Sequence, residues 1–166
     1  MKLFFLTAVF VFAVDFTSKV LVREFLRYGV PVPVFGDFFR LTFVENTGVV
    51  FGLFRGKGLS LLPLMILALI VILVYVFLRS KSHPARLEKR NLWTSLDEIS
   101  LGMIFGGGFA NVFERLTRGV VTDFIDVGIK NIRWYTFNVA DSFIVIGVIV
   151  QFLLILRGEF SSGASD

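Results

Sequence analysis

Two aspartates, Asp123 and Asp141, have the residue type and the sequence position to act together as an acid and a base. Neither has an obvious cationic partner nearby in the sequence. Two carboxyl groups held close together cannot both ionise cheaply, so one keeps its proton while the other stays charged. Such a pair can polarise a carbonyl with the acid and activate water with the base. The pairing requires the chain around Asp123 to fold back onto Asp141, which the apolar Phe124, Ile125 and Val127 favour.

Other catalytic arrangements lack some of their parts in this sequence. The chain has no cysteine, and its single histidine, His83, lies in a strongly basic stretch away from both aspartates. Ser-His catalysis and histidine-based metal binding therefore lack a key residue, and neither a metal nor another cofactor is expected. A Ser-Lys pair formed by Ser142 and Lys19 remains an open alternative. The glycines at 106–108 lie inside an apolar segment, so they do not form a phosphate-binding loop after a strand.

The elements that position these residues are predicted to be membrane-spanning helices. Of the 166 residues, 55% are hydrophobic and 18% are charged, and the mean hydropathy is +0.80, well outside the range of soluble domains. A helix needs about 20 mainly apolar residues to cross the hydrocarbon core of a bilayer. Four segments meet this requirement, so residues 1–166 are predicted to form a single all-α membrane domain. The predicted spans are approximately residues 3–22, 59–78, 93–113 and 137–156.

The distribution of basic residues predicts the topology. Residues 79–90 form the densest basic stretch, and the positive-inside rule places the loop at 79–92 in the cytoplasm. With four spans, both termini are then cytoplasmic, and the loops at 23–58 and 114–136 face outward. The net charge is +4 and the pI is about 9.7. Because the basic residues cluster beside the spans, phospholipid headgroups are the expected partners and nucleic acid is not.

The first outer loop carries a β-rich stretch at 32–44. Its β-branched and aromatic residues alternate in part and are bounded by proline and glycine. This pattern predicts a small extracytoplasmic sheet lying on the membrane surface.

Polar residues in and beside the predicted spans fall near the outer face. A charged side chain in hydrocarbon costs at least ~2.5 kcal/mol, so a cluster at one depth normally faces a shared cavity. Asp15 and Lys19, four positions apart on one helix, are predicted to form a structural ion pair, and Glu114 is predicted to pair with Arg115. The predicted cluster comprises Asp15, Lys19, Asn46, Asn111, Glu114, Arg115, Asp123, Asn138 and Asp141.

The third predicted span also has a packing motif. Gly102, Gly106 and Ala110 are spaced as small-xxx-small, a pattern that lets another helix approach closely. On the same helix, Asn111 and Arg115 are four positions apart and share a face at the outer end.

Five stretches of the sequence resemble the motifs of the lipoprotein signal peptidase family, the bacterial signal peptidase II. They occur in the family's order and extend over essentially the whole chain. The five stretches are DFTSK at 15–19, NTGVVFG at 46–52, GGGFANVFER at 106–115, VTDF at 121–124 and FNVAD at 137–141. The sequence departs from the family's usual residues at Phe16, Ala110 and Glu114, where Gln, Gly and Asp are more common.

The resemblance implies a fold, an activity and a location. It implies an aspartic endopeptidase of the bacterial inner membrane that removes signal peptides from diacylglyceryl-modified prolipoproteins, cleaving before the lipidated cysteine without a metal or cofactor. The active site lies near the outer face, the enzyme is a monomer, and the lipidated prolipoproteins are its partners. Asp123 and Asp141 match the catalytic positions. The residues expected to line or support the site are Asn46, Gly48, Asn111, Arg115, Asn138, Asp15, Lys19 and Glu114.

Two other classes of function stay open at the level of sequence. A small transporter or channel could use the same outer-face carboxylates as proton or cation sites, although the inner halves of the spans offer few polar groups for a conduction path. A non-enzymatic membrane assembly factor would need no pair of aspartates.

Overall fold

The described part of the chain folds into four long helices and a small sheet. The computed structural model describes residues 1–48, 62–82 and 92–162. The helices are α1 (Lys2–Phe25), α2 (Leu62–Ser82), α3 (Leu92–Arg118) and α4 (Val139–Ser162). The strands are β1 (Pro31–Phe35), β2 (Phe39–Asn46), β3 (Val121–Ile129) and β4 (Ile132–Arg133).

Three helices in the described part of the chain, α1, α2 and α4, are long and apolar enough to cross a membrane. Their large apolar side chains are widely exposed, which is the surface that a bilayer covers. The protein is therefore a multi-pass membrane protein. The third predicted span coincides with α3, which has charged residues near both ends and three consecutive glycines. A count of four membrane spans stays a prediction.

The ends of the helices differ from the predicted spans. Helix α3 continues to Arg118, past the predicted end of the third span at residue 113. It ends because Gly119 adopts a φ of 78° and donates its N–H to Arg115 O at 2.9 Å, a glycine-terminated helix end. The predicted start of the second span at 59–61, His83 and most of the predicted cytoplasmic loop lie outside the described residues.

Helix α3 is the centre of the helix packing because its glycines lie against the backbones of two different helices. A Cβ on Gly106 would lie 2.6 Å from Ala8 O of α1, and one on Gly102 would lie 2.6 Å from Phe4 O. A Cβ on Gly107 would lie 2.6 Å from Ala140 O at the start of α4. The predicted small-residue contact is confirmed, and consecutive glycines hold α1 and α4 at backbone distance on different sides of α3.

The four strands form one antiparallel sheet in the order β1-β2-β3-β4. The β1–β2 hairpin lies where the β-rich stretch at 32–44 predicted a sheet. Strands β3 and β4 were not predicted. The sheet is attached to the end of α1 by a small core of Val22, Phe43 and Phe124.

A charged cluster also joins the strands. Asp126 of β3 pairs with Arg40 of β2 at 3.0 Å and with Arg133 of β4 at 2.6 Å, and it accepts a hydrogen bond from Thr42 Oγ1 at 2.8 Å. Burial by itself would raise the pKa of Asp126, but the hydrogen bonds from Arg133, Thr42 and Arg40 outweigh it and hold the pKa below its ordinary value.

Candidate active site

Asp141 is positioned by the first turn of α4. Asn138 precedes the helix, and its Oδ1 accepts a hydrogen bond from Asp141 N at 2.9 Å, while Asp141 Oδ2 accepts one from Asn138 N at 3.3 Å. This reciprocal pair is a capping box, which satisfies two N–H groups that the helix leaves open. The sequence folds this way because asparagine is a strong N-cap residue and a carboxylate is favoured in the first turn. These hydrogen bonds fix the orientation of the Asp141 side chain, and Asp141 is partly exposed.

Asp123 is positioned by β3 and is 2% exposed. Phe137 forms an antiparallel bridge with Ile125, so the chain around Asp123 folds back onto the start of α4 as predicted. Each carboxylate oxygen of Asp123 accepts an amide hydrogen bond, Oδ1 from Asn138 Nδ2 at 2.7 Å and Oδ2 from Asn46 Nδ2 at 2.9 Å. Burial, and after it the charge of Asp141, raises the pKa of Asp123 from 3.8 to about 7.

Asn111 of α3 connects the two aspartates to α1. Its Nδ2 donates to Asp141 Oδ1 at 2.8 Å, and its Oδ1 accepts from Lys19 Nζ at 2.8 Å and from Asn138 Nδ2 at 3.3 Å. Asn111 and Asn138 therefore link the two carboxyl groups through one continuous set of hydrogen bonds.

The predicted ion pair between Asp15 and Lys19 is confirmed. Lys19 Nζ lies 2.7 Å from Asp15 Oδ2, and the two side chains are almost completely buried. The other oxygen of Asp15, Oδ1, accepts the N–H of Ala140 at 2.8 Å. Since Ala140 is in the first turn of α4, Asp15 attaches α1 to the same turn that carries Asp141.

The prediction that Glu114 pairs with Arg115 is wrong. Successive residues of a helix point about 100° apart, so neighbours in sequence do not face each other. Glu114 forms ion pairs with Lys19 at 3.1 Å, Arg23 at 2.8 Å and Arg118 at 3.1 Å. Its two oxygens also bind Thr122, the residue before Asp123, through the hydroxyl at 2.6 Å and the backbone N–H at 3.1 Å.

Arg115 lies on the other side of α3, where it is 4% exposed. Its Nη2 donates to Gly48 O at 2.8 Å and its Nη1 to Asn111 O at 3.3 Å, while its Nε has no hydrogen-bond partner among the described residues. Gly48 in turn donates its N–H to Asn46 Oδ1 at 2.8 Å, which orients the Asn46 amide toward Asp123. Residues 49–52 of the same motif lie outside the described residues.

A small pocket lies between these residues and helices α2 and α4. Two apolar side chains, Met65 and Ile144, form part of its wall. The pocket is lined by Asn46, Met65, Gly108, Asn111, Arg115, Val121, Asp123, Asp141 and Ile144. Two carboxyl groups, one guanidinium and several amide donors are therefore available to bind the polar part of a ligand, and the apolar side chains can contact an apolar part of the same ligand.

All ten predicted site residues lie in this connected cluster, and the catalytic or supporting roles assigned to them stay predictions. The structure does not bring Ser142 and Lys19 together as a catalytic pair, because Ser142 Oγ donates to Asn138 O at 3.1 Å. Sequence reasoning missed Arg23, Arg118 and Thr122. The position of Arg23, four residues after Lys19, is a signal that could have placed it on the same face of α1. Within the described ranges, no group of three His, Cys, Asp or Glu side chains could hold a metal ion.

Long apolar helices and a carboxylate-lined pocket at one end of the bundle define a multi-pass membrane protein with a candidate acid–base site. The sequence profile of signal peptidase II matches residues 7–157. The chain belongs to the signal peptidase II family, and it is a peptidase.

Relatives and solved structures agree with this assignment. A lipoprotein signal peptidase of Moorella thermoacetica is 35% identical over 158 residues, which cover 94% of this chain and 95% of that protein. One from Borreliella burgdorferi (strain ZS7) is 42% identical over 144 residues, covering 82% of this chain and 79% of that protein. A bacterial membrane enzyme solved by the in meso method at 1.9 Å resolution has a TM-score of 0.76 and 28% identity, covering 95% of this chain and 94% of that chain. A second such enzyme, at 2.3 Å resolution, has a TM-score of 0.72 and 27% identity, covering 95% of this chain and 89% of that chain.

Proposed function

We propose that this peptidase is an aspartic endopeptidase that removes signal peptides from diacylglyceryl-modified prolipoproteins, cleaving before the lipidated cysteine. The observation that carries the proposal is the shared pocket of Asp123 and Asp141, whose carboxyl groups are linked by hydrogen bonds through Asn138 and Asn111. The names of the relatives support the choice of prolipoproteins as substrates.

The chemistry needs one protonated and one ionised carboxyl group. The acid donates a hydrogen bond to the scissile carbonyl oxygen, and the base takes a proton from water as the water oxygen bonds to the carbonyl carbon. The C–N bond then breaks, and a proton passes to the leaving nitrogen. Three asparagine side chains orient the carboxyl groups through hydrogen bonds: Asn46, Asn111 and Asn138. Because these amides are neutral, they add no charge that would keep both carboxyl groups in the same protonation state.

The surroundings of the site fit a substrate that is half lipid and half peptide. The pocket has polar groups on one side and Met65 and Ile144 on another, and the exposed apolar helices border it. The protein is proposed to lie in the bacterial cytoplasmic membrane among phospholipids, as a monomer, with both termini in the cytoplasm and the site near the outer face. A monomer suffices because one chain supplies all of the site's groups.

Cleavage by the purified protein tests this function directly. The protein is reconstituted in lipid with a synthetic prolipoprotein peptide that carries a diacylglyceryl cysteine, and the products are identified by mass spectrometry. The expected product begins with the lipidated cysteine, and the same peptide without the lipid should be cut far more slowly. An intact lipidated peptide would contradict the proposal and favour a transporter or an assembly factor. Cutting at a different bond would contradict the proposed cleavage before the lipidated cysteine.

A further inference from the structure

The two carboxyl groups of the pocket have different surroundings, although both belong to aspartates. Asp141 lies in the first turn of α4, where the partial positive charge of the helix N-terminus favours an anion. Its Oδ2 also completes the capping box with Asn138 N, a role that suits the ionised form. Asp123 lies on a strand, which has no comparable dipole.

The ammonium group of Lys19 is linked to Asp141 through the side-chain amide of Asn111. Lys19 Nζ can only donate hydrogen bonds, so Asn111 must present its Oδ1 to it, and this leaves Asn111 Nδ2 to donate to Asp141 Oδ1. The result is a chain from the Lys19 ammonium through the Asn111 amide to the Asp141 carboxylate, with 2.8 Å at each step. A positive charge on the oxygen of an amide polarises it and makes its N–H groups stronger donors. The chain therefore stabilises the ionised form of Asp141.

Asp123 accepts hydrogen bonds, within the described part of the chain, only from the neutral amides of Asn46 and Asn138. Each of its oxygens keeps a second lone-pair position, so Asp123 can carry a proton while both hydrogen bonds stay in place. Asp123 is also 2% exposed, whereas Asp141 is partly exposed and so is the carboxyl group that water can reach.

The other charged groups do not reverse this difference. Within the described residues, the titratable and charged groups that face Asp141 are Asp15 and Lys19 of α1, Arg115 of α3 and Asp123 of β3. The charge of Lys19 also acts on Asp123, but its effect there is smaller than that of the hydrogen bonds from Asn46 and Asn138. The carboxylate of Asp15 is bound to Lys19 and to the N–H of Ala140, and Arg115 lies near both pocket aspartates.

We propose that the shared proton resides on Asp123 and that Asp141 is the ionised base, kept in that state by Lys19 acting through Asn111. This assignment rests on the proposed aspartic mechanism and adds the direction of proton flow. Asp141 takes a proton from the attacking water, and Asp123 donates its proton toward the scissile carbonyl oxygen as the water oxygen bonds to the carbonyl carbon. When the C–N bond breaks, Asp141 passes its proton to the leaving nitrogen and Asp123 recovers its own from the collapsing hydroxyl. Lys19 is a positioning residue, since it does not touch the reacting atoms.

The pH profile of kcat/KM tests the assignment. Its acid limb reports the first proton lost by the pair, and its alkaline limb reports the second. Lys19→Gln keeps a donor for Asn111 but removes the charge, and Lys19→Met removes both. Each should move the acid limb upward by about one pH unit, at the low end of what a neighbouring cation produces, and leave the alkaline limb nearly in place. Lower activity at all pH values with an unmoved acid limb would overturn the proposal.

Asn111→Ala provides a second route that does not depend on replacing a buried lysine. It removes the amide that links Lys19 to Asp141 and should move the acid limb in the same direction. In the Asn111→Ala background, Lys19→Gln should move the limb no further, because the charge has lost its route to Asp141. A second, equal movement in the double variant would show that Lys19 does not act through Asn111.

Two matched variants complete the test. Arg23→Met removes a different cation from the same Glu114 without touching Asn111, so the acid limb should stay in place. Asn46→Ala removes a hydrogen bond that favours ionised Asp123, so it should raise the alkaline limb and not the acid limb. The opposite pattern would assign the base to Asp123. A failure of the aspartic mechanism itself is distinguishable, since Asp123→Asn and Asp141→Asn would then cleave the lipidated peptide at the parent rate.

Discussion

Asparagine is the residue type that lets two aspartates share one pocket. An asparagine offers both a donor and an acceptor without a charge, so it can bind a carboxyl group and a second polar group simultaneously. Asn138 uses its acceptor on the N–H of Asp141 and its donor on Asp123, and Asn111 uses its acceptor on Lys19 and its donor on Asp141. A lysine or arginine in either place would pair with one carboxyl group and remove it from acid–base work.

Burial of Asp123 should make the stability of the protein depend on pH. Its pKa is 3.8 in an exposed chain and about 7 when folded, so between these values the unfolded chain ionises while the folded one holds its proton. The contribution of Asp123 to stability is therefore fully present below pH about 4 and is lost as the pH rises through about 7, by at most about 4 kcal/mol. Asp123→Asn removes this dependence. The Tm of the variant in detergent, minus the Tm of the parent, should therefore increase as the pH is raised from about 5 to about 8. A difference in Tm that stays constant over this range would contradict the account.

At the scale of elements, α3 decides where the site residues lie. Its C-terminal end presents Asn111 and Arg115 to the pocket and Glu114 to α1 and β3, so a shift of this helix would move both groups of contacts. The glycines at 106 and 107 set the distance from α3 to α1 and to α4 just below these residues.

Adding one methyl group at two neighbouring glycines should have opposite effects on stability. A Cβ at Gly106 meets backbone, 2.6 Å from Ala8 O, so Gly106→Ala must push α1 away and should lower Tm by the equivalent of ~1–3 kcal/mol. A Cβ at Gly108 meets only the end of the Leu69 side chain at 3.0 Å, which can rotate. Because alanine is the better helix former by about 1 kcal/mol, Gly108→Ala should leave Tm unchanged or raise it. Equal losses in both variants would argue against the close α1–α3 contact.

The elements also show where the sequence was informative and where it was not. Hydropathy located the helices because each segment is long and mainly apolar, and the partly alternating β-branched and aromatic residues located β1 and β2. Strand β3 was missed because its polar Thr122, Asp123 and Asp126 are satisfied by residues distant in sequence, such as Glu114 and Arg40. The partners of Glu114 could not be predicted from its neighbour Arg115, since α1 and β3 supply them only after folding.

At the scale of the whole molecule, the site lies at one end of the helix bundle, and the last turn of α2 and the first turn of α3 lie at the other. The basic stretch at 79–90 predicts that the α2–α3 connection is cytoplasmic. Since the chain has no cysteine, single cysteines report cleanly on this topology. With an impermeant thiol reagent applied to intact cells, Lys130→Cys in the β3–β4 turn should react and Lys81→Cys near the end of α2 should be protected. Reaction at Lys81→Cys and protection at Lys130→Cys would place the site on the cytoplasmic side.

The contribution of the two aspartates to turnover, measured as kcat/KM on a diacylglyceryl prolipoprotein peptide, tests the central claim most directly. Asp123→Asn and Asp141→Asn should each lose about 10²–10⁴-fold or more, and the double variant should be scarcely slower than either, because the pair acts as a unit. Asp126 lies in the same strand but is bound to Arg40 and Arg133. The folded fraction of Asp126→Asn should therefore keep most of the parent activity. Cleavage by either Asp123→Asn or Asp141→Asn at more than a few per cent of the parent rate would contradict the account.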